Sequence, residues 1–167
     1  MNSNIVLDAA DGSIVVSDNV TIEPFCFIKG PVFIGKNTLV KSGTKIYGPA
    51  VIGEYSKVAG EIAESVFHSY VNKQHDGFIG HSYICPFVNL GADTVTSDLK
   101  NNYSGIKMNV NGLDTDTGMQ FLGSILGDHT KTSINTMLNT GTVAGIFANI
   151  FGGGFPEKSI GSFAWYD

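Results

Sequence analysis

The sequence predicts an all-β fold, a single-stranded parallel β-helix wound from hexapeptide repeats, and three observations predict it. From Val16 an aliphatic residue returns at every sixth position: Ile22, Ile28, Ile34, Val40, Ile46, Ile52 and Val58. A compact residue follows four positions after each, at Val20, Cys26, Val32, Thr38, Thr44, Ala50 and Ser56. The 21 glycines are interleaved with these aliphatics and mark tight corners rather than disorder. A six-residue beat matches neither the 3.6-residue period of a helix nor the two-residue alternation of an ordinary strand.

The elements follow in order. Apolar runs at 5–7 and 14–16 flank an Asp11-Gly12 turn and form an entry strand pair. The first run of hexads covers 16–63. Three hexads make one triangular coil of 18 residues, so Val16, Ile34 and Ile52 stack in one column and Ile22, Val40 and Val58 in another. Stacked coils lie ~4.8 Å apart, the spacing of paired strands. The register breaks near 61–67 and resumes as Val66, Asn72, Phe78, Ile84 and Leu90, with Ser82, Val88 and Thr94 in the compact slot. Residues 97–124 are polar and hold no hexad; they form a protruding loop, and long loops in compact domains are usually functional. The beat returns at Leu126, Thr132, Leu138, Ala144 and Ile150. The tail at 155–167 holds the single Trp and caps the last coil. Residues 1–167 thus make one domain of roughly six coils.

Composition narrows the partners. With net charge −5, nucleic acid and anionic membranes are disfavoured. All ten basic residues are lysines, so any phosphate is held by ammonium groups, backbone N–H groups or hydroxyls rather than by a guanidinium fork. Cys26 and Cys85 have no framework spacing and read as core residues. No signal peptide, membrane-length apolar run or lipidation motif is visible, which points to the cytoplasm.

His75, in NKQHDGFIG, is the candidate general base. Asp93 lies one 18-residue coil later and is expected to stack next to it. Glu61 lands beside it if the register break shortens a coil by four residues. A carboxylate next to a histidine fixes its tautomer and raises its basicity; the same spacing equally fits a hydrogen-bonded surface imidazole. His68 and His81 read as solvated face residues and His129 as a corner residue. Lys100, Asn101, Asn102, Tyr103 and Lys107 put amides and ammonium groups on the loop, a set suited to a phosphorylated, hydroxyl-rich ligand or to plain solvation. FGGGF at 151–155 lacks the Lys-Ser/Thr of a phosphate loop and reads as a tight turn.

GEIAESVF, NKQHDGFIG, VNLGADT, LKNNYSGIK, LGSILGDHTKTSIN and GTVAGIFANIFGGGFP together resemble the acetyltransferase half of bifunctional N-acetylglucosamine-1-phosphate uridyltransferase/glucosamine-1-phosphate acetyltransferases and their archaeal sugar-1-phosphate nucleotidylyltransferase relatives. The resemblance implies a left-handed β-helix, a homotrimer with active sites between subunits, and acetyl-CoA along the flank. It implies His75 as catalytic base, Glu61 as its support, and Asn89 as a contact to the amino sugar. It places the Ala92 backbone at the acetyl-CoA site and Lys107 on the sugar phosphate, with Ser133, Asn102 and Tyr103 on the cofactor side. The chain departs from that pattern at Asp98, where relatives usually carry Asn, and at Phe78, where several carry Tyr. Both changes touch the expected substrate site, and Lys41, Lys45 or Lys73 stands in for missing arginines. Nothing resembles the glycine-rich nucleotidyl-transfer signature, so uridylyl transfer is not expected of this sequence.

The expected activity is acetyl transfer from acetyl-CoA to the amine of an amino-sugar phosphate such as glucosamine 1-phosphate, with no metal required. One rival is a non-catalytic trimeric scaffold or ligand-binding β-helix. The other is a zinc site like that of γ-carbonic anhydrases, built on His75, His81 and His68.

Overall fold

The computed structural model describes residues 4–166 and forms a parallel β-helix with three faces. The first face stacks Val6–Asp8, Phe27–Lys29, Lys45–Tyr47, Glu61–Ala63 and Phe78–Gly80. The second is the tallest, with eight strands running from Ile14–Val16 to Ser159–Ile160. The third runs from Thr21–Ile22 to Trp165–Tyr166 and is joined across its middle by single bridges from Asn72 to Asn89 and from Asn89 to Lys131. The stack is taller than the roughly six coils expected. Val6–Asp8 and the tail strands pair onto it as further rungs, so the tail extends the sheets.

The hexad columns pair as read. Val16 lies on Ile34 and Ile34 on Ile52; Ile22 lies on Val40 and Val40 on Val58. The inward aliphatics are shielded from water, and each coil completes the core of the next. Inward threonines line the corners. Thr44 donates to the Lys41 carbonyl and Thr136 to that of Ser133, which satisfies buried polar groups locally.

One stretch of the expected register is corrected. The inward residues after the break are Phe67, Lys73 and Ile79, while Val66, Asn72 and Phe78 face outward, half-exposed. Phe67 pairs with Ile52 and Lys73 with Val58, only 15 positions earlier in each case. The missing residues are lost at the corners, so the strand parity slips by one. Phe67 then pairs with Ile84, 17 positions on, and the predicted series is restored at Ile84 and Leu90.

The 97–124 segment is not a bare loop. Lys107–Val110 and Leu113–Asp116 pair antiparallel as a hairpin turned at Asn111-Gly112, both with positive φ (52° and 82°). Its Ile106 and Met108 are buried, and the backbone at Lys107 packs against Gly141.

Candidate active site

The four histidines occupy four different environments. Nε2 of His68 lies 2.5 Å from the Tyr83 hydroxyl. His81 has both ring nitrogens engaged, Nδ1 with Asp98 at 2.8 Å and Nε2 with Glu64 at 3.2 Å, and its ring stacks on Phe121. His129 lies between the rings of Phe87 and Phe147. His75 is exposed, and among the described residues its imidazole makes no hydrogen bond. A base needs a free lone pair facing solvent or substrate. His75 meets that requirement, whereas His81, clamped between two carboxylates, does not. The three histidines of the zinc reading do not converge, and no group of three His, Cys, Asp or Glu among the described residues could hold a metal ion.

The register defines what surrounds His75. The Asp93 N–H donates to the Asp76 carbonyl, and Asn72 bridges Asn89, so this coil and the next are offset by 17 residues. Ala92 therefore lies one coil from His75, and Asp93 stacks on Asp76 rather than on His75 as expected. Glu61 is also displaced from its expected place. It pairs with Phe78, and its carboxylate lies 3.4 Å from Nζ of Lys45. The adjoining groove has a volume of about 350 Å³. Lys45, Glu61, Asp76, Phe78 and Asp93 line it, with Gly43, Gly60 and Gly77 at its glycine corner. Gly77 has φ +127°, and a Cβ there would sit 2.3 Å from the Thr94 carbonyl oxygen, so the coils close at this corner only around glycine.

Lys73 is 1% exposed, in the interior slot expected to hold an outward substrate contact. Its ammonium donates to the His75 carbonyl at 2.8 Å. Burial lowers its pKa from 10.5 to about 8, against the opposing pull of Asp76 and Asp93. A phosphate outside the coil cannot reach it, and the expectation that it binds substrate is set aside. Burial likewise pushes the Cys26 and Cys85 thiols up, with Asp128 adding to the effect at Cys85. Neither thiol is primed as a nucleophile.

The other expected residues are spread around this centre. The Asn89 side chain accepts from Asn72 Nδ2. Ala92 keeps its N–H free of any acceptor among the described residues, and its carbonyl accepts from Asn135. The Ser133 hydroxyl bonds within its own corner, to Thr136 and Ile134. Asn102 and Tyr103 are exposed on the segment that leads into the hairpin, and Lys107 is exposed on the hairpin itself. Asp98 is mostly buried and tied to His81. Asp76 and the Glu64–His81 pair were not singled out from the sequence. An offset of 17 residues in place of 18 identifies both.

The fold is that of a hexapeptide-repeat β-helix, and comparison with known proteins narrows the class further. No family model matches. The chain is 29% identical over 170 residues to a bifunctional sugar-1-phosphate nucleotidylyltransferase/acetyltransferase from Sulfurisphaera tokodaii; the match takes in 89% of this chain and 42% of that protein. It is 26% identical over 128 residues to the bifunctional protein GlmU of Methanococcus vannielii, across 77% of this chain and 30% of the relative. The chain therefore spans less than half the length of these relatives. Among solved structures, UDP-N-acetylglucosamine acyltransferase from Campylobacter jejuni superposes with TM-score 0.52 at 15% identity, over 95% of this chain and 68% of that one, which is a likeness of fold. The chain is a hexapeptide-repeat β-helix related to GlmU and the bifunctional sugar nucleotidyltransferase/acetyltransferases.

Proposed function

We propose that the chain transfers the acetyl group of acetyl-CoA to the amine of an amino-sugar phosphate, with glucosamine 1-phosphate as the first candidate acceptor, and that His75 is the general base. The observation that carries this reading is the unpartnered His75 imidazole one coil from the unpaired Ala92 N–H, each next in sequence to a residue that lines the groove, Asp76 and Asp93. An ammonium cannot attack a thioester. His75 takes a proton from the acceptor nitrogen as that nitrogen bonds to the acetyl carbon. The carbon–sulfur bond then breaks, and the proton passes to the departing CoA thiolate. In this reading the Ala92 N–H holds the oxyanion that develops between these steps, and one such donor contributes roughly 3 kcal/mol. Glu61 and Asp93 shape the electrostatics of the groove that receives the amine. Asn89 contacts the sugar, and Phe78 forms an apolar wall of the groove. Lys45 in the groove and Lys107 on the hairpin are the phosphate candidates. Ser133, Asn102 and Tyr103 stay on the cofactor side. The reaction calls for no metal.

The working enzyme in this reading is a cytoplasmic homotrimer with a site between subunits. Support comes from the outward column of the second face. Val15, Phe33, Val51, Val66, Tyr83, Ile125 and Val143 follow one another through its successive rungs. No helix among the described residues is long and apolar enough to cross a membrane.

The test is release of CoA thiol from acetyl-CoA in the presence of glucosamine 1-phosphate, run beside His75→Ala. Release that requires the amino sugar and falls by about 10²- to 10⁴-fold in the variant is the expected result. A variant with full activity removes His75 as the base. No release with any amino-sugar phosphate turns the reading toward a ligand-binding scaffold.

A further inference from the structure

The interior of this β-helix is largely apolar, and its corners are lined by small side chains. Lys73 breaks that rule. It stands in the inward column directly on Val58, one coil from Leu90. Among the described residues no carboxylate lies within ion-pair distance of it, and its recorded hydrogen bond is the 2.8 Å contact to the carbonyl oxygen of His75. A leucine or methionine would fill the same column without taking an ammonium out of water. An amine retained at such a cost is explained by the group it touches.

The corner itself differs from its neighbours in its side-chain donor. At regular corners an inward threonine hydroxyl donates to the turn carbonyl, as Thr44 does to Lys41 and Thr136 to Ser133. Along the same column as Thr44 the next two coils carry Gly60 and Gly77, whose carbonyls receive the N–H groups of Lys45 and Glu61. Those glycines have no hydroxyl to offer. At the 74–77 corner the side-chain donor is the long Lys73 side chain of the preceding strand, and it reaches the carbonyl of His75, one residue beyond Gln74, which stands where Lys41 does at the Thr44 corner. Holding the His75 carbonyl fixes the plane of the 75–76 peptide and with it the direction of the His75 Cα–Cβ bond.

We infer that Lys73 is a buried positioning residue for His75, whose ammonium clamps the His75 carbonyl and so sets the direction in which the exposed imidazole leaves the corner. The inference rests on the acetyl-transfer reading for the meaning of that direction, though not for the clamp itself. A base misplaced by about an ångström loses up to roughly a hundredfold in rate.

The experiment is Lys73→Met in the full chain, since methionine keeps the apolar volume and deletes the donor. Two readouts are taken: steady-state acetyl transfer from acetyl-CoA to glucosamine 1-phosphate, and amide hydrogen exchange followed by mass spectrometry. The expected result is a kcat lower by about ten- to a hundredfold with the KM for acetyl-CoA unchanged. It comes with faster exchange confined to peptides covering 74–77. Wild-type kcat in an active preparation overturns the inference, as does unchanged exchange at 74–77. Loss of protection spread evenly over all coils also overturns it, because that is the mark of a packing role alone. If the parent protein transfers no acetyl group, the acetyl-transfer reading fails, and the exchange measurement still decides whether Lys73 holds the corner.

Discussion

Lys73 shows at the scale of one residue how an offset decides a role. Counted in hexads from Val66, where the beat resumes, position 72 is the inward one and Lys73 faces solvent, where an ammonium suits a phosphate. The corner lost near 61–67 reverses that parity, and the same side chain is enclosed. The burial has a signature in stability. Unfolded, the lysine titrates near its ordinary value of 10.5, and folded it titrates near 8. Between those values the unfolded chain binds more protons than the folded one, so stability climbs as pH rises through that window. At about 1.4 kcal/mol per pH unit the full climb is roughly 3 kcal/mol. Denaturant unfolding of the parent from pH 7.5 to 10.5 is expected to show this rise relative to Lys73→Met; parallel curves would place the ammonium in water. Gly77 makes a companion case. Gly77→Ala puts a Cβ against the Thr94 carbonyl at a φ of +127°, and a strained backbone position of this kind costs about 1–3 kcal/mol. Chemical denaturation reads that cost directly.

Strands and corners differ in how plainly they can be read. Strands at 16–58 are legible because each inward position carries a branched aliphatic residue and each coil has the same length, so two periods agree. Corners are not legible where they shorten, because their residues carry no periodic mark. The aromatic corner is a second example. Tyr55, Tyr70, Phe87, His129, Phe147 and Phe163 all have positive φ, and their rings stack face to face at centroid distances of 4.5–5.5 Å. Bulky residues rarely adopt that backbone, and stacking at the rung spacing, worth about 0.5–1.5 kcal/mol per pair, offsets the strain. None of this is visible from a hexad count, which places these residues at an ordinary turn. The insertion at 97–124 was legible as an interruption, but its anchor was not. Asp98 and Phe121, at its two ends, both meet His81, and the Leu122 N–H donates to the Asp98 carbonyl. Asp98→Asn keeps the shape and weakens this charge-assisted bond, which contributes about 1–3 kcal/mol. Limited proteolysis between 99 and 121 is expected to quicken in that variant while the coils stay intact. Unchanged cleavage would mean the hairpin is held by Ile106 and Met108 instead.

Across the whole molecule, what matters is which flank is covered. The inward core closes each coil on the next and leaves the outer faces to solvent or to a second subunit. On the second face, Val15, Phe33, Val51 and Tyr83 are each 40–51% exposed in consecutive rungs around the half-buried Val66. Two prolines, Pro31 and Pro49, flank the same strip. A contiguous apolar strip of this length is unusual on a monomer surface and marks a contact. The third face carries Lys57, Asn72, Asn89, Lys131 and Asn149 in its outward column, a polar set unsuited to close packing. The proposed trimer therefore buries the second face, and a charge there should dissolve it. Val51→Asp is expected to sediment as a single 17.8 kDa chain where the parent sediments at three times that mass. Its core is untouched, because Val51 points outward between the buried Ala50 and Ile52, so circular dichroism should match the parent. Acetyl transfer should fall with the trimer although His75 is unchanged, since the proposed site lies between subunits. A Val51→Asp chain that stays trimeric would move the contact to another face. A monomer with full activity would leave the contact in place and show that one chain holds the entire site.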